Sequence, residues 1–237
     1  MHLETVLTQM KSMRLTTMAN SLESRLGAQD HQDLSHEEFV SLLINDEHEA
    51  RQNRKLDTMI KRAGFKPEMP CLENIKYEET RGFKKMELVQ FYSDTWIKNA
   101  QNIILTGPTG SGKTFIAEAI ALQACKLGYP ALKKRFRMLF EEIHEAKGVG
   151  FYLKYLKKME KISVLILDDF MMTSIQKRDL DDLMDLIELR EQVGSIIITS
   201  QYPVDKWHLK MADKTVADAI CDRLQKGAFI FNLKGDS

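Results

Sequence analysis

Residues 102–114 read NIILTGPTGSGKT, an apolar run that stops at a glycine-rich loop, and FIAEAIALQAC follows from Phe115. Ile103, Ile104 and Leu105 have the uninterrupted apolar character of a strand buried on both faces, and the Ala-rich stretch after the loop has helical character. That strand, loop and helix setting gives the GxxxxGKT spacing its meaning. Gly107, Gly110 and Gly112 let the backbone wrap closely around phosphate oxygens, with N–H groups turned inward at a helix N-terminus whose dipole favours anions. Lys113 adds a point charge at the outer phosphates, and Thr114 offers a hydroxyl to a magnesium ion bridging them. The loop therefore predicts ATP and Mg2+ as ligands, with Gly107, Pro108, Thr109, Gly110, Ser111, Gly112, Lys113, Thr114 and Phe115 holding the nucleotide.

Outward from this loop, short apolar runs at 102–106, 162–167, 195–199 and 229–233, with a basic run at 133–137 as a further strand candidate, alternate with helical stretches. Such alternation predicts an α/β fold, a parallel sheet covered by helices on both faces. Two of these runs end in polar side chains at the edge where parallel sheets bind ligands. SVLILDD at 163–169 ends in two carboxylates, so Asp168 would hold magnesium and Asp169 would orient and polarise the attacking water. SIIITSQ at 195–201 ends in Gln201, which can reach the γ-phosphate or that water if its strand lies beside the loop's own strand. An ordinary polar strand end is the other reading of each.

Before the sheet, apolar residues recur at Leu3, Val6, Leu7, Met10, Met13, Met18, Leu22 and Leu26, along one helical face with Gly27 as a stop. Ser35 and Glu38 have capping-box spacing and start a second helix that runs towards Gly64. Its later half carries Arg51, Arg54 and Lys55, suited either to nucleic acid or to a solvated surface. GFKPEMPC at 64–71 has two prolines and reads as a linker, giving a helical N-terminal domain at 1–66 and a nucleotide domain at 72–237.

The 237 residues carry 34 basic and 34 acidic side chains, so overall charge gives no hint of nucleic acid, and 43% hydrophobic residues suit a folded soluble chain. Cys71, Cys125 and Cys221 are dispersed and odd in number, which argues against a disulfide or zinc framework and for a reducing compartment. Neither a secretion signal nor a run long enough to cross a bilayer is present, so a cytoplasmic location without membrane contact is expected. Charge is nevertheless local: residues 126–161 hold ten basic side chains against four glutamates. Lys133, Lys134, Arg135, Arg137, Lys154, Lys157 and Lys158, interleaved with Phe136, Phe151, Tyr152 and Tyr155, can hold duplex DNA phosphates without reading bases. The same pattern also describes a solvated helix face with aromatic core positions behind it.

GPTGSGKT, LILDDF, IIITSQYP with Trp207 following, and ADAICDRL at 217–224 together resemble the AAA+ ATPases of the IstB and DnaC group, transposition helpers and replicative helicase loaders. TSQ with Pro203 and Trp207, and the closing LKGDS, make the chain more similar to IstB-type helpers. The resemblance covers about residue 71 to the end, with the helical segment similar to the N-terminal part of those helpers. It implies an AAA+ fold, Lys113 and Thr114 on nucleotide and magnesium, Asp168 as the Walker B ligand, and Asp169 where many relatives carry glutamate. It further implies Gln201 at the sensor position and Arg223 as an arginine finger in the neighbouring subunit's ATP site. A homo-oligomer with ATP at its interfaces, duplex DNA and a transposase follow as implied partners. The implied function is an ATP-dependent regulator that assembles on DNA and recruits a transposase, with slow hydrolysis suited to the shorter Asp169. A helicase loader, a monomeric P-loop small-molecule kinase and a non-hydrolysing ATP-gated scaffold are the alternatives.

Overall fold

Why the isoleucine-rich runs become strands is visible in a computed structural model that describes residues 2–28, 34–66, 70–75, 82 and 84–235. Within the expected linker, residues 67–69 lie outside these, as do the last two residues of LKGDS. Five strands form one sheet: β1 (Ile103–Thr106), β2 (Ala131–Arg135), β3 (Val164–Asp168), β4 (Ser195–Ser200) and β5 (Phe229–Asn232). They are all parallel, in the order β2-β3-β4-β1-β5. The second strand starts at Ala131 and ends before Phe136, two residues earlier than its sequence pattern suggested, because Phe136 turns inward as the first residue of a helix core.

Period-two alternation then divides the sheet's side chains between two layers. Ile104, Leu165, Leu167, Ile196 and Ile198 share a core with α7 (Phe136–Gly148), α8 (Tyr152–Glu160), α9 (Lys177–Arg190) and α10 (Lys214–Gln225). Ile103, Leu105, Val164, Ile166 and Ile197 are equally buried on the other face, where α6 (Lys113–Lys126) packs across the strands. Two short helices, α4 (Lys85–Val89) and α5 (Thr95–Lys98), precede β1. Arg190, 1% exposed at the end of α9, donates to the carbonyls of Met159, Ile162 and Ser195 and so closes the chain around the starts of β3 and β4.

The N-terminal segment forms α1 (Leu3–Ser12), α2 (Thr16–Ala28) and α3 (His36–Ala63). The single apolar face expected from Leu3 to Leu26 is broken into two helices, and α2 continues past Gly27. Apolar spacing jumps by five between Met13 and Met18, and Arg14 adopts φ 61°, which ends α1 and folds α2 back so that Leu7, Met10 and Ala19 share a small core. The carboxylate of Glu47 on α3 accepts the N–H of Met18 at 2.9 Å in the first turn of α2, while Arg51 donates to the carbonyl of Arg14 at 2.9 Å. The capping box forms as expected: Ser35 N–H donates to Glu38 at 2.8 Å and Glu38 N–H to Ser35 Oγ at 3.3 Å. Two compact units divide between Thr58 and Met59, inside α3, rather than in the proline-bearing stretch. Among the described residues no helix is long and apolar enough to cross a membrane.

Candidate nucleotide site

The loop between β1 and α6 has Gly107, Gly110 and Gly112 at φ 146°, 84° and 86°, values that L side chains rarely adopt. Gly107 is also a close approach: a Cβ there would lie 2.4 Å from the carbonyl oxygen of Leu233. Pro108, Thr109 and Gly110 are exposed at the loop's crest, and Phe115, 41% exposed, flanks it. Lys113 is nearly buried, with Nζ 2.9 Å from Gly107 O, 2.6 Å from Pro108 O and 3.4 Å from Ser111 Oγ. Burial lowers the pKa of Lys113, against the pull of Asp169 and Asp168. A loop lined by an ammonium and opening a helix is chemically a polyphosphate cradle, and its residues fit ATP.

Beside it, Thr114 Oγ1 donates to Asp168 Oδ1 at 2.8 Å, which joins the first turn of α6 to the end of β3. Thr199 donates to the same oxygen at 2.6 Å, and Lys133 Nζ lies 3.1 Å from Oδ2. Burial works to raise the pKa of Asp168, but Thr199, Thr114 and Lys133 outweigh it and hold the carboxyl below its usual range. A hydroxyl and an ionised carboxylate side by side are hard oxygen donors, the set that suits magnesium. Asp169 follows at φ 60°, half-buried, its N–H donated to Thr199 Oγ1 at 3.1 Å. Left-handed backbone is tolerated by Asp, whose short polar side chain suits it better than longer side chains do, so a glutamate would sit less easily here.

The sheet order brings the third strand end to the site as its sequence reading required. β4 pairs with β1 in the register Thr106↔Ser200, so Gln201 follows directly beside the start of the loop. Ser200 is a junction: its Oγ donates to Phe170 O at 2.9 Å and accepts Trp207 Nε1 at 3.2 Å and Tyr202 N at 3.2 Å. Trp207 is fully buried against Phe170, with ring centroids 4.6 Å apart.

Arg223 is not brought to this site. It lies near the end of α10 and pairs with Glu188 at 3.0 Å and Glu191 at 3.7 Å. Together with Asn102, Gly194 and Ile196 it lines a cavity at the starts of β1 and β4. Lys113 lies beyond the ends of those parallel strands, so about 13 Å of β1 alone separates the two levels.

The basic residues read as phosphate contacts separate into two groups. Lys133, 12% exposed, pairs with Glu118 at 2.6 Å as well as Asp168, and Lys134 pairs with Glu142. Arg51 and Arg54 pair with the buried Glu47 at 2.8 and 3.4 Å. Arg135, Lys55, Lys154, Lys157 and Lys158 are exposed, as is Arg137, which pairs with Glu141 at 3.3 Å. Of the interleaved aromatics, Phe136 is core and Tyr152 and Tyr155 are half-buried with hydroxyls on Asp185 and Glu142, which leaves Phe151 exposed. Sequence reasoning missed Thr199 and Glu118. Glu118, a lone acid within FIAEAIALQAC, was the available signal, since a charge among apolar helix positions needs a partner.

A family model described as IstB-like ATP binding protein matches residues 8–237. A relative named as an insertion sequence ATP-binding protein from Sinorhizobium fredii is 32% identical, over 98% of this chain and 94% of its own. Another, from the insertion sequence IS1162 of Pseudomonas fluorescens, is 35% identical over 83% of this chain and 85% of its own. Among solved structures, the DnaC helicase loader superposes with a TM-score of 0.61 over 70% of this chain and 97% of that one, at 15% identity, a likeness of fold.

Proposed function

We propose, for a chain that belongs to the family of IstB-like ATP binding proteins, that it hydrolyses ATP slowly and uses the bound nucleotide to hold an assembly on duplex DNA that recruits or activates a transposase. The observation that carries the ATPase half is the 2.8 Å bond between Thr114 and Asp168. A hydroxyl and a carboxylate from two separate motifs meet beside the glycine-rich loop, which supports a magnesium site next to bound phosphates. Magnesium held there would neutralise charge on the outer phosphates. Lys113 would turn from its loop carbonyls to those phosphates, Asp169 would orient the attacking water and Gln201 would steady it from β4.

The assembly half rests on Arg223. Its own chain holds it at the opposite end of the sheet from Lys113, which supports a role on the nucleotide of a neighbouring subunit, after release from Glu188 and Glu191. Relatives named for insertion sequences support a role in transposition. The exposed lysines of α8, with Phe151, are the surface we assign to the DNA backbone.

One experiment measures ATP hydrolysis and particle size together, in ATP and in ADP, with and without duplex DNA. The reading requires particles that grow with ATP and DNA and shrink as ADP accumulates. Mixing Lys113→Ala with Arg223→Ala subunits should restore part of the activity each lacks. Particles indifferent to both ligands, and mixtures as inactive as their parts, would leave a monomeric kinase-like enzyme instead.

A further inference from the structure

Lys133 stands at the middle of β2, paired in register with Ile166, and its ammonium is shared by two buried carboxylates, Glu118 at 2.6 Å and Asp168 at 3.1 Å. Glu118 is fully buried on α6 and its other oxygen accepts the backbone N–H of Lys66 at 3.1 Å, so both of its ends are pinned. Asp168 is pinned the same way, with two hydroxyls on Oδ1 and the ammonium on Oδ2. A carboxylate held at one oxygen can still pivot about its Cβ–Cγ bond, and holding the second removes that freedom.

We infer that Lys133 is a positioning residue for phosphoryl transfer: shared between Glu118 and Asp168, it fixes the direction in which Asp168 presents Oδ1 to Thr114. The inference rests on the ATPase reading above. A surface role for Lys133 fits poorly with a side chain 12% exposed whose donors are already engaged by two carboxylates. Its ammonium lies between the two carboxylates as their shared counter-ion. The phosphate grip belongs to Lys113 and the loop, which Lys133 does not touch. Loss of Lys133 therefore acts on turnover rather than on ATP affinity.

Removing Lys133 alone leaves two buried carboxylates without a counter-ion, so the informative comparison is between Glu118→Gln and the double variant Glu118→Gln with Lys133→Met. Glu118→Gln leaves the ammonium on Asp168 and sets the reference turnover against which the double variant is read. The double variant should lose about 10- to 100-fold in kcat, the cost of a misplaced catalytic group, with KM for ATP unchanged within about threefold. A role confined to packing would lower thermal stability in both variants while leaving turnover per folded molecule equal. The inference is overturned if the folded double variant turns over like Glu118→Gln, or if its KM rises in step with the fall in kcat. Should the double variant not fold, Glu118→Leu with Lys133→Met, an apolar pair, carries the same two readouts. Wild-type protein without ATPase activity, with or without duplex DNA, would remove the ATPase reading and this inference together; an active wild type with an unaffected double variant removes this inference alone.

Discussion

The hydroxyl of Thr199 on β4 donates to Asp168 Oδ1 at 2.6 Å and accepts the backbone N–H of Asp169 at 3.1 Å. One side chain thus orients the proposed magnesium ligand and anchors the turn that carries the proposed base. Thr199→Val keeps the volume and removes the hydroxyl, leaving a buried carboxylate short of a donor and an N–H without an acceptor. A hydrogen bond to a charged group is worth about 1.5–3 kcal/mol, so chemical denaturation should show a stability loss of that order. Hydrolysis should fall by at least about tenfold while ATP binding, measured by calorimetry, stays within about threefold. Unchanged turnover would show that Asp168 does not depend on this contact.

Asp169 occupies φ 60°, a conformation asparagine also tolerates. Asp169→Asn should therefore fold with wild-type stability to within about 0.5 kcal/mol and bind ATP normally. Turnover should drop by about 10² to 10⁴, the usual contribution of general acid–base catalysis. Single-turnover phosphate release reads the outcome, and a wild-type rate would remove Asp169 from the role of base.

Glu47 is 4% exposed and accepts from Met18 N–H and Arg51, with Arg54 at 3.4 Å, so it ties α3 to the corner between α1 and α2. The backbone N–H of Met18 and the Arg51 guanidinium hold its carboxyl below the usual range. Glu47→Gln should loosen that corner by about 2 kcal/mol, seen as faster amide exchange in α2. The sign with pH follows from the lowered pKa: the contribution is complete above the unfolded value near 4.3 and fades as pH falls through the folded value. Exchange in α2 that is the same in Glu47→Gln and wild type at pH 7 would contradict this.

Tyr155 is partly buried on α8 and donates to Glu142 at 3.1 Å; burial first, then that carboxylate, pushes its pKa above the usual tyrosine value. A raised acid keeps its proton in the folded chain after the unfolded chain has lost it. Its stabilisation is therefore complete below the unfolded value near pH 10 and is lost as pH rises beyond it. Tyr155→Phe should flatten the alkaline fall in stability relative to wild type, measured as denaturation midpoints between pH 8 and 11. Parallel curves would assign that fall to other groups.

The three inner strands were legible because the sheet is covered on both faces there, so NIILT, SVLILDD and SIIITSQ are apolar runs, whereas the edge strand β2 reads ALKKR and carries no such signal. The phosphate loop was legible because its chemistry lies in eight consecutive residues. Where the two N-terminal helices part was written only as a five-residue gap between Met13 and Met18, and the contacts that hold the corner come from Glu47 and Arg51, 29 and 37 positions from their partners.

Sequence by itself determined the cradle from Gly107 to Thr114, the carboxylates at the end of β3 and the parallel sheet, since local periodicity and spacing encode what a short segment does. Tertiary structure alone decided which charges are available. Lys133 and Lys154 look alike in a basic stretch, yet one is enclosed between Glu118 and Asp168 while the other stays exposed on α8. It also decided that Arg223 lies at the far end of the sheet from Lys113. The physical reason is that burial and partner choice depend on elements distant in the chain, and a charge takes its meaning from the groups that surround it.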